Sequence, residues 1–320
     1  MLRYAADIRT LLWLLVFAPT LIALQYLHPE WIPYLCVPTF YFAISAAVVA
    51  HNHQHSPTFK SKGMNEFFAN WISIFYGYPT FGWIPTHNLN HHKYVNKPGD
   101  ATITWRITNR HNYLVAASYF FVSAYHQSVP TAEFLKNARA KSPARYRGYM
   151  AQYLVVYGTH AAMAALAVAI HGLLPGLKVY ALTLLLPAIV SLWTVHTFNY
   201  DQHAHTDPWS KYDHSRNFVG PVLNFFLFNN GYHTVHHENA GRHWSLNKAA
   251  HEEIADKINP ALNQRSLFWY WFKQYVLAAF IPSLGTTRLG RAPFDTREEK
   301  LDLRTAEVGF GESGTNAARV

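Results

Sequence analysis

The sequence predicts an all-α integral membrane protein with four transmembrane helices in two hairpins, interfacial helices, and a cytosolic histidine-rich cap. Three observations carry that expectation. Four apolar runs are long enough to cross a hydrocarbon core, which needs about 20 helical residues. Only 14% of the 320 residues are charged while 16% are aromatic, against about 25% charged in an ordinary soluble domain. Of the 20 histidines, nine gather in four clusters on one side of the expected membrane.

The first run, Leu11 to Leu27, follows Arg3 and Arg9 and contains Pro19, a residue spans tolerate because neighbouring helices re-satisfy the freed carbonyl. No small-residue cleavage site follows and a second run comes at once, so it reads as a span, not a signal peptide. That second span, Trp31 to Ala50, opens on an interfacial Trp and Tyr and runs into His51. Phe67 to Trp83 and Tyr113 to Tyr125 are apolar but interspersed with Tyr, Trp, Asn and Gly, which suits helices at the interface or packed on the spans. Tyr149 to Leu174 and Val179 to Phe198 form the third and fourth spans, with a tight turn expected at Leu174 to Gly176. Ser266 to Pro282 is aromatic and reads as interfacial. Residues 1–283 thus form one membrane domain, and 284–320 form a polar tail.

Charge sets the expected topology. Four crossings place His51 to Gly148 and everything after Asn199 on the side of the N-terminus. The first of these segments is rich in Lys and Arg, from Lys60 to Arg147, whereas the facing loops hold only Lys178. By the positive-inside rule both termini and all the histidine clusters are cytosolic. A net charge of +9 suits anionic lipid or nucleic acid. The basic residues are spread through loops with no nucleic-acid signature, so a bilayer is expected and a nucleic-acid partner is not. The single Cys36 excludes an internal disulfide and a thiolate site built on two or more cysteines.

Each histidine cluster has helical spacing. His51 and His55 in HNHQH lie at i and i+4, on one helix face, with His53 pointing elsewhere. HNLNHH supplies His87, His91 and His92; NYDQH supplies Asn199 and His203; HTVHH supplies His233, His236 and His237. One ion takes four to six ligands, so nine imidazoles on one side of the membrane imply two ions, with Asn199 as a weak or water-mediated oxygen ligand. Imidazole alone does not choose among Zn, Cu, Fe and Ni. His28, His111, His126, His160 and His171 are isolated and read as packed or hydrogen-bonded. His196, His205, His214 and His243 lie near the clusters and, with His53, are candidates to support ligand rings. Asp201, Asp207 and Glu238 are candidate acceptors for ring N–H groups, or else ordinary solvated carboxylates.

The ordered set resembles the membrane-bound fatty acid desaturase family, whose pattern is an HxxxH box, an HxxxHH or HxxHH box, a late HxxHH box and an NxxxH element. Here these are His51 to His55, His87 to His92, His233 to His237, and Asn199 to His203, and the resemblance covers roughly His51 to Trp244. It implies an O2-dependent fatty acyl desaturase with two iron ions (Fe2+/Fe3+) held by those histidines, introducing a double bond into a lipid acyl chain. The extra His53 departs from the better-known members and leaves a swapped ligand open. No HPGG haem motif of a fused cytochrome b5 is present, so the resemblance implies a separate electron donor of ferredoxin, rubredoxin or cytochrome b5 type. Related histidine-box enzymes hydroxylate, form ketones or make terminal alkenes by decarboxylation, and the boxes do not separate these outcomes. A membrane metal transporter is the alternative from another class, although its ligands would be expected mid-span.

Overall fold

Apolar runs of this length leave the backbone no way to satisfy its N–H and C=O groups in lipid except as helix. The computed structural model is accordingly mostly helical, and its described residues are Met1–Gly290. The polar tail expected over 284–320 lies outside them from residue 291 onward. In chain order the helices begin with α1 (Asp7–Leu27) and α2 (Pro29–His55), each long and apolar enough to cross a membrane. Then come α3 (Lys62–Tyr76), α4 (π-helical Ile84–His91 continuing as His92–Tyr94) and α5 (Tyr113–Lys141). The other two helices able to cross are α6 (Pro143–His171) and α7 (Leu173–His203). Shorter helices follow: α8 (Pro221–Phe226), α9 (His233–Glu238), α10 (Asn247–Glu252) and α11 (Leu267–Trp271, extended through Phe272–Leu277 and Ala278–Phe280).

The chain divides into two compact units, Met1–Trp83 with Leu135–Val195, and Ile84–Phe134 with the chain from His196 onward. In the first, α1 and α2 are tied by Trp13 Nε1 donating to Tyr41 Oη at 2.6 Å and Gln25 Nε2 donating to Thr39 Oγ1 at 2.8 Å. Such pairs contribute roughly 0.6 kcal/mol each in a membrane interior. The Trp71 indole of α3 donates to the Leu14 carbonyl at 2.7 Å. Outward side chains such as Tyr34, Val37 and Leu154 are more than two-thirds exposed, a hazard in water and a lipid-facing surface in a bilayer.

The break between α6 and α7 differs from the expected turn at Leu174 to Gly176. It falls at Gly172, whose φ of 80° is open to glycine at no steric cost. Leu174 to Gly176 are the first turn of α7, where Pro175 forfeits an N–H that has no helical partner anyway. Gly176 has a different duty: a Cβ there would lie 2.5 Å from Val168 Cα, so its hydrogen lets α6 and α7 approach. Helix α2 continues through His55, and α7 continues through His203. The first box and the NYDQH element therefore occupy the terminal helical turns of α2 and α7.

The second unit is held by an aromatic core, Phe198, Phe218, Leu267 and Tyr270. A two-residue parallel pairing, Asn217 with Asn263 and Phe218 with Gln264, fixes the chain leading toward α9. Arg216, 1% exposed, lies over the Tyr270 ring at 5.0 Å and donates to the Asp201 carbonyl. One Nη donor and the cationic face are thus met, while Nε is buried without a hydrogen-bond partner among the described residues.

Candidate metal centre

Four histidines of the second unit converge: His91 at the end of the π-helical turn, His203 on the last turn of α7, and His233 and His237 on α9. One ring nitrogen from each lies within 4.8 Å of all the others. The Nε2 atoms of His91 and His203 are 3.1 Å apart, His203 and His233 2.9 Å, His237 and His203 3.2 Å, and His237 and His233 3.1 Å. Metal–imidazole bonds of about 2.1 Å place neighbouring nitrogens about 3.0 Å apart in an octahedron and about 3.4 Å apart in a tetrahedron. These spacings fit ligands sharing one ion.

Proton accounting reaches the same conclusion without reference to distance. His91 Nδ1 lies 2.8 Å from Asp100 Oδ2 and 2.8 Å from Thr102 Oγ1, whose own proton goes to Asp100 Oδ1. His203 Nδ1 lies 3.1 Å from the His214 carbonyl. A carboxylate and a carbonyl only accept, so both Nδ1 atoms carry protons and both Nε2 atoms present lone pairs. Two lone pairs aimed at each other across 3.1 Å repel unless a cation sits between them. Protonating the rings is no remedy, since burial and the neighbouring histidines hold the His237 imidazole well below its ordinary value.

Asp100 organises this side of the site. Its carboxylate is fully buried and accepts from His91, from the Asn96 and Thr102 amides at 2.7 Å each, and from the Thr102 hydroxyl. Burial pushes the carboxyl up, but the His91 ring and these donors outweigh it and hold it at about 2. Its position depends on a left-handed turn at Val95 and Asn96, φ 45° and 61°. That conformation is costly for a β-branched residue. Asn96 locks it by donating to the His203 carbonyl at 3.1 Å and accepting from Thr104.

A second group of ring nitrogens lies beside the first. His92 Nε2 is 3.1 Å from His87 Nε2 and 3.0 Å from His236 Nε2, and the last two are 3.4 Å apart. The backbone explains how one segment serves both groups. Offsets of four and five residues lie about 40° and 140° from His87 on an α-helix. On a π-helix of about 4.4 residues per turn they fall about 30° to one side and 50° to the other. The π turn over Ile84–His91 therefore lets His92 stand beside His87 while His91 reaches the tetrad. On α9, His233 and His237 face the tetrad and His236 faces the other group.

In the first unit, the rings of His51 and His55 lie 4.8 Å apart and His51 packs on Trp83 at 5.1 Å. His53 is buried with Nδ1 3.0 Å from Thr58 Oγ1 and Nε2 3.2 Å from the Asn65 carbonyl, so both its nitrogens are spoken for. Asn199 lies one turn before His203, with Nδ2 3.4 Å from Tyr119 Oη.

The expected supporting residues are placed differently. Asp201 accepts from the Trp271 indole at 2.7 Å and from the Tyr275 hydroxyl, beside His111 at 3.6 Å. His205 meets the Asn109 and Thr286 carbonyls, His196 Nε2 meets Gln127, and Glu238 is exposed. Residues adjacent in sequence to a ligand on a helix point about 100° or 200° away from it, so Asp201 and Glu238 cannot be judged by proximity in sequence. Asp100, nine residues past His91 across a KPGD turn, was not singled out from the sequence. The available signal was a carboxylate in the turn that follows the box.

Four helices long and apolar enough to cross a membrane, together with buried histidines whose ring nitrogens converge closely enough to share a cation, define a membrane-type protein with candidate metal-binding groups. The model of the family described as "Fatty acid desaturase" matches residues 29–268, and the chain belongs to that family. No curated protein and no solved structure matches the chain.

Proposed function

We propose that this chain is an O2-dependent fatty acyl desaturase that introduces a double bond into a lipid acyl chain with two irons. His91, His203, His233 and His237 hold one ion. His87, His92 and His236 hold the other, together with His51 and His55 of the first box, and Asn199 contributes through water. Bound iron supplies the redox chemistry by which O2 attacks an unactivated C–H bond. Two electrons come from a separate carrier and two from the chain's C–H bonds, and with two further protons O2 leaves as water.

The residues of this chain prepare that chemistry. Asp100 and the His214 carbonyl hold the Nδ1 protons of His91 and His203, so each Nε2 is a ligand without deprotonation. His91 and His203 are fully buried and His233 is 2% exposed, which keeps bulk water from the oxidant. Neutral imidazoles leave the full cationic charge on the ions. Methylenes offer no polar handle, so the carbon that reacts is fixed by distance along an apolar path from an anchored head group.

The family match spans both compact units, which supports a single catalytic domain over 1–283. The Lys and Arg bias supports two hairpins with the boxes and both termini in the cytosol. The observation that carries the reading is the convergence of Nε2 atoms, two of which, on His91 and His203, present lone pairs because their Nδ1 protons are already committed. Iron analysis of purified protein tests it, with mass spectrometry of lipids from a host expressing the chain. Two irons per chain and a new double bond are expected. A hydroxyl, ketone or shortened terminal alkene would replace desaturation by a related oxidation, and zinc without O2 consumption would favour a metal transporter.

A further inference from the structure

The second unit carries a cavity distinct from the convergence points of the ring nitrogens. Asn96, His203, Trp105, Trp209, Arg110 and Arg288 are among the residues that line it. Both arginines are exposed, and Trp209 is 51% exposed. The nearby acids are engaged: Asp207 Oδ1 accepts the Trp209 amide at 3.1 Å and Asp213 Oδ1 accepts the Asn259 amide at 2.7 Å.

From this lining, short hydrogen bonds lead to His203 and His91. Trp105 Nε1 donates to the Asn96 carbonyl at 2.9 Å, and Asn96 Nδ2 donates to the His203 carbonyl at 3.1 Å. The Asn96 amide donates to Asp100 Oδ2 at 2.7 Å, which is 2.8 Å from His91 Nδ1. Of the histidines whose ring nitrogens converge, His203 alone lines this cavity.

We propose that this cavity is the electron-entry port, the docking surface for a small redox protein with an acidic face. Its two tryptophans and the Asn96 bridge are the route to His203 and His91. The inference rests on the desaturase reading, which requires an external one-electron donor. Each docking passes one electron from the carrier's reduced cofactor into the chain and leaves the carrier oxidised; two dockings supply the pair consumed with each O2. Opposite charges steer such encounters and make them sensitive to salt. Aromatic lining residues give the carrier a desolvated contact among charged ones.

The test uses the full chain in detergent with a soluble acidic [2Fe–2S] ferredoxin and, in parallel, rubredoxin and soluble cytochrome b5. Binding is read by titration calorimetry at low and high salt. Wild type should bind at least one of the three, and Arg110→Glu with Arg288→Glu should weaken that binding by about tenfold or more at low salt, less at high salt. Trp105→Leu should leave binding within about twofold but slow stopped-flow reduction by the bound donor, while reduction by dithionite with methyl viologen is unchanged. Iron content and O2 uptake with the chemical reductant report on the desaturase reading separately from the port. Equal affinity of the charge-reversed and wild-type proteins for the donor would overturn the proposal. So would an effect confined to the KM for an anionic acyl substrate, or no donor binding to wild type.

Discussion

Replacing Asp100 by Asn changes one atom and should disable one metal position. In the native site Oδ2 receives the His91 Nδ1 proton and the Asn96 amide, while Oδ1 receives the Thr102 amide and hydroxyl. An asparagine must put its NH2 group at one of these positions. At Oδ1 it meets a backbone N–H that cannot reverse. At Oδ2 it meets the Asn96 amide, and His91 can relieve its own share by moving its proton to Nε2, which removes the lone pair that binds metal. One unsatisfied buried donor costs about 1–3 kcal/mol of stability. Loss of the orienting carboxylate weakens metal by about 10- to 100-fold, or about 1.4–2.8 kcal/mol. Iron per chain, measured by plasma mass spectrometry after graded chelation, should fall toward half, the tetrad ion leaving first. Asp201→Asn is the control: it loses acceptors for Trp271 and Tyr275 and should melt lower while keeping its iron. Asp100→Asn with wild-type iron retention, or equal iron loss in the two variants, would refute the reasoning.

Three further outcomes are expected. His237→Ala should remove activity and tetrad iron, whereas His171→Ala, which gives up one bond to the Tyr26 carbonyl at 2.8 Å, should keep both; metal analysis of the purified proteins decides. Gly176→Leu should drive a side chain into the α6 backbone and cost about 1–3 kcal/mol, read as a lower melting temperature in detergent, and unchanged melting would show that the helices can part. Burial, partly offset by Asp201, lowers the His111 imidazole to about 4. The unfolded ring protonates near 6.5, so stability is highest above that pH and is lost as pH falls toward 4, by roughly 3 kcal/mol. His111→Gln should flatten that part of the stability profile, and an identical profile would rule out His111 as its source.

The sequence by itself determined the helical class, the four helices long and apolar enough to cross a membrane, and which histidines share a helix face. Each of those rests on a local property: apolar length against bilayer thickness, or imidazoles at i, i+3 and i+4 on one helix. Asn199 to His203 and His233 to His237 were legible because helical spacing projects them together whatever the rest of the chain does. Spacing could not apportion the histidines between two groups. The division of His91 from His87 and His92 comes from a π turn, and that of His236 from His233 and His237 comes from the packing of α9. Nor could sequence find Asp100, because a carboxylate becomes a histidine's partner only when a left-handed turn at Val95 and Asn96 folds it back. Asp201, two residues before His203, faces Trp271, Tyr275 and His111 instead. Local periodicity sets which residues share a face, whereas the partner that each ring proton meets is settled by contacts distant in the chain, which only the tertiary structure brings together.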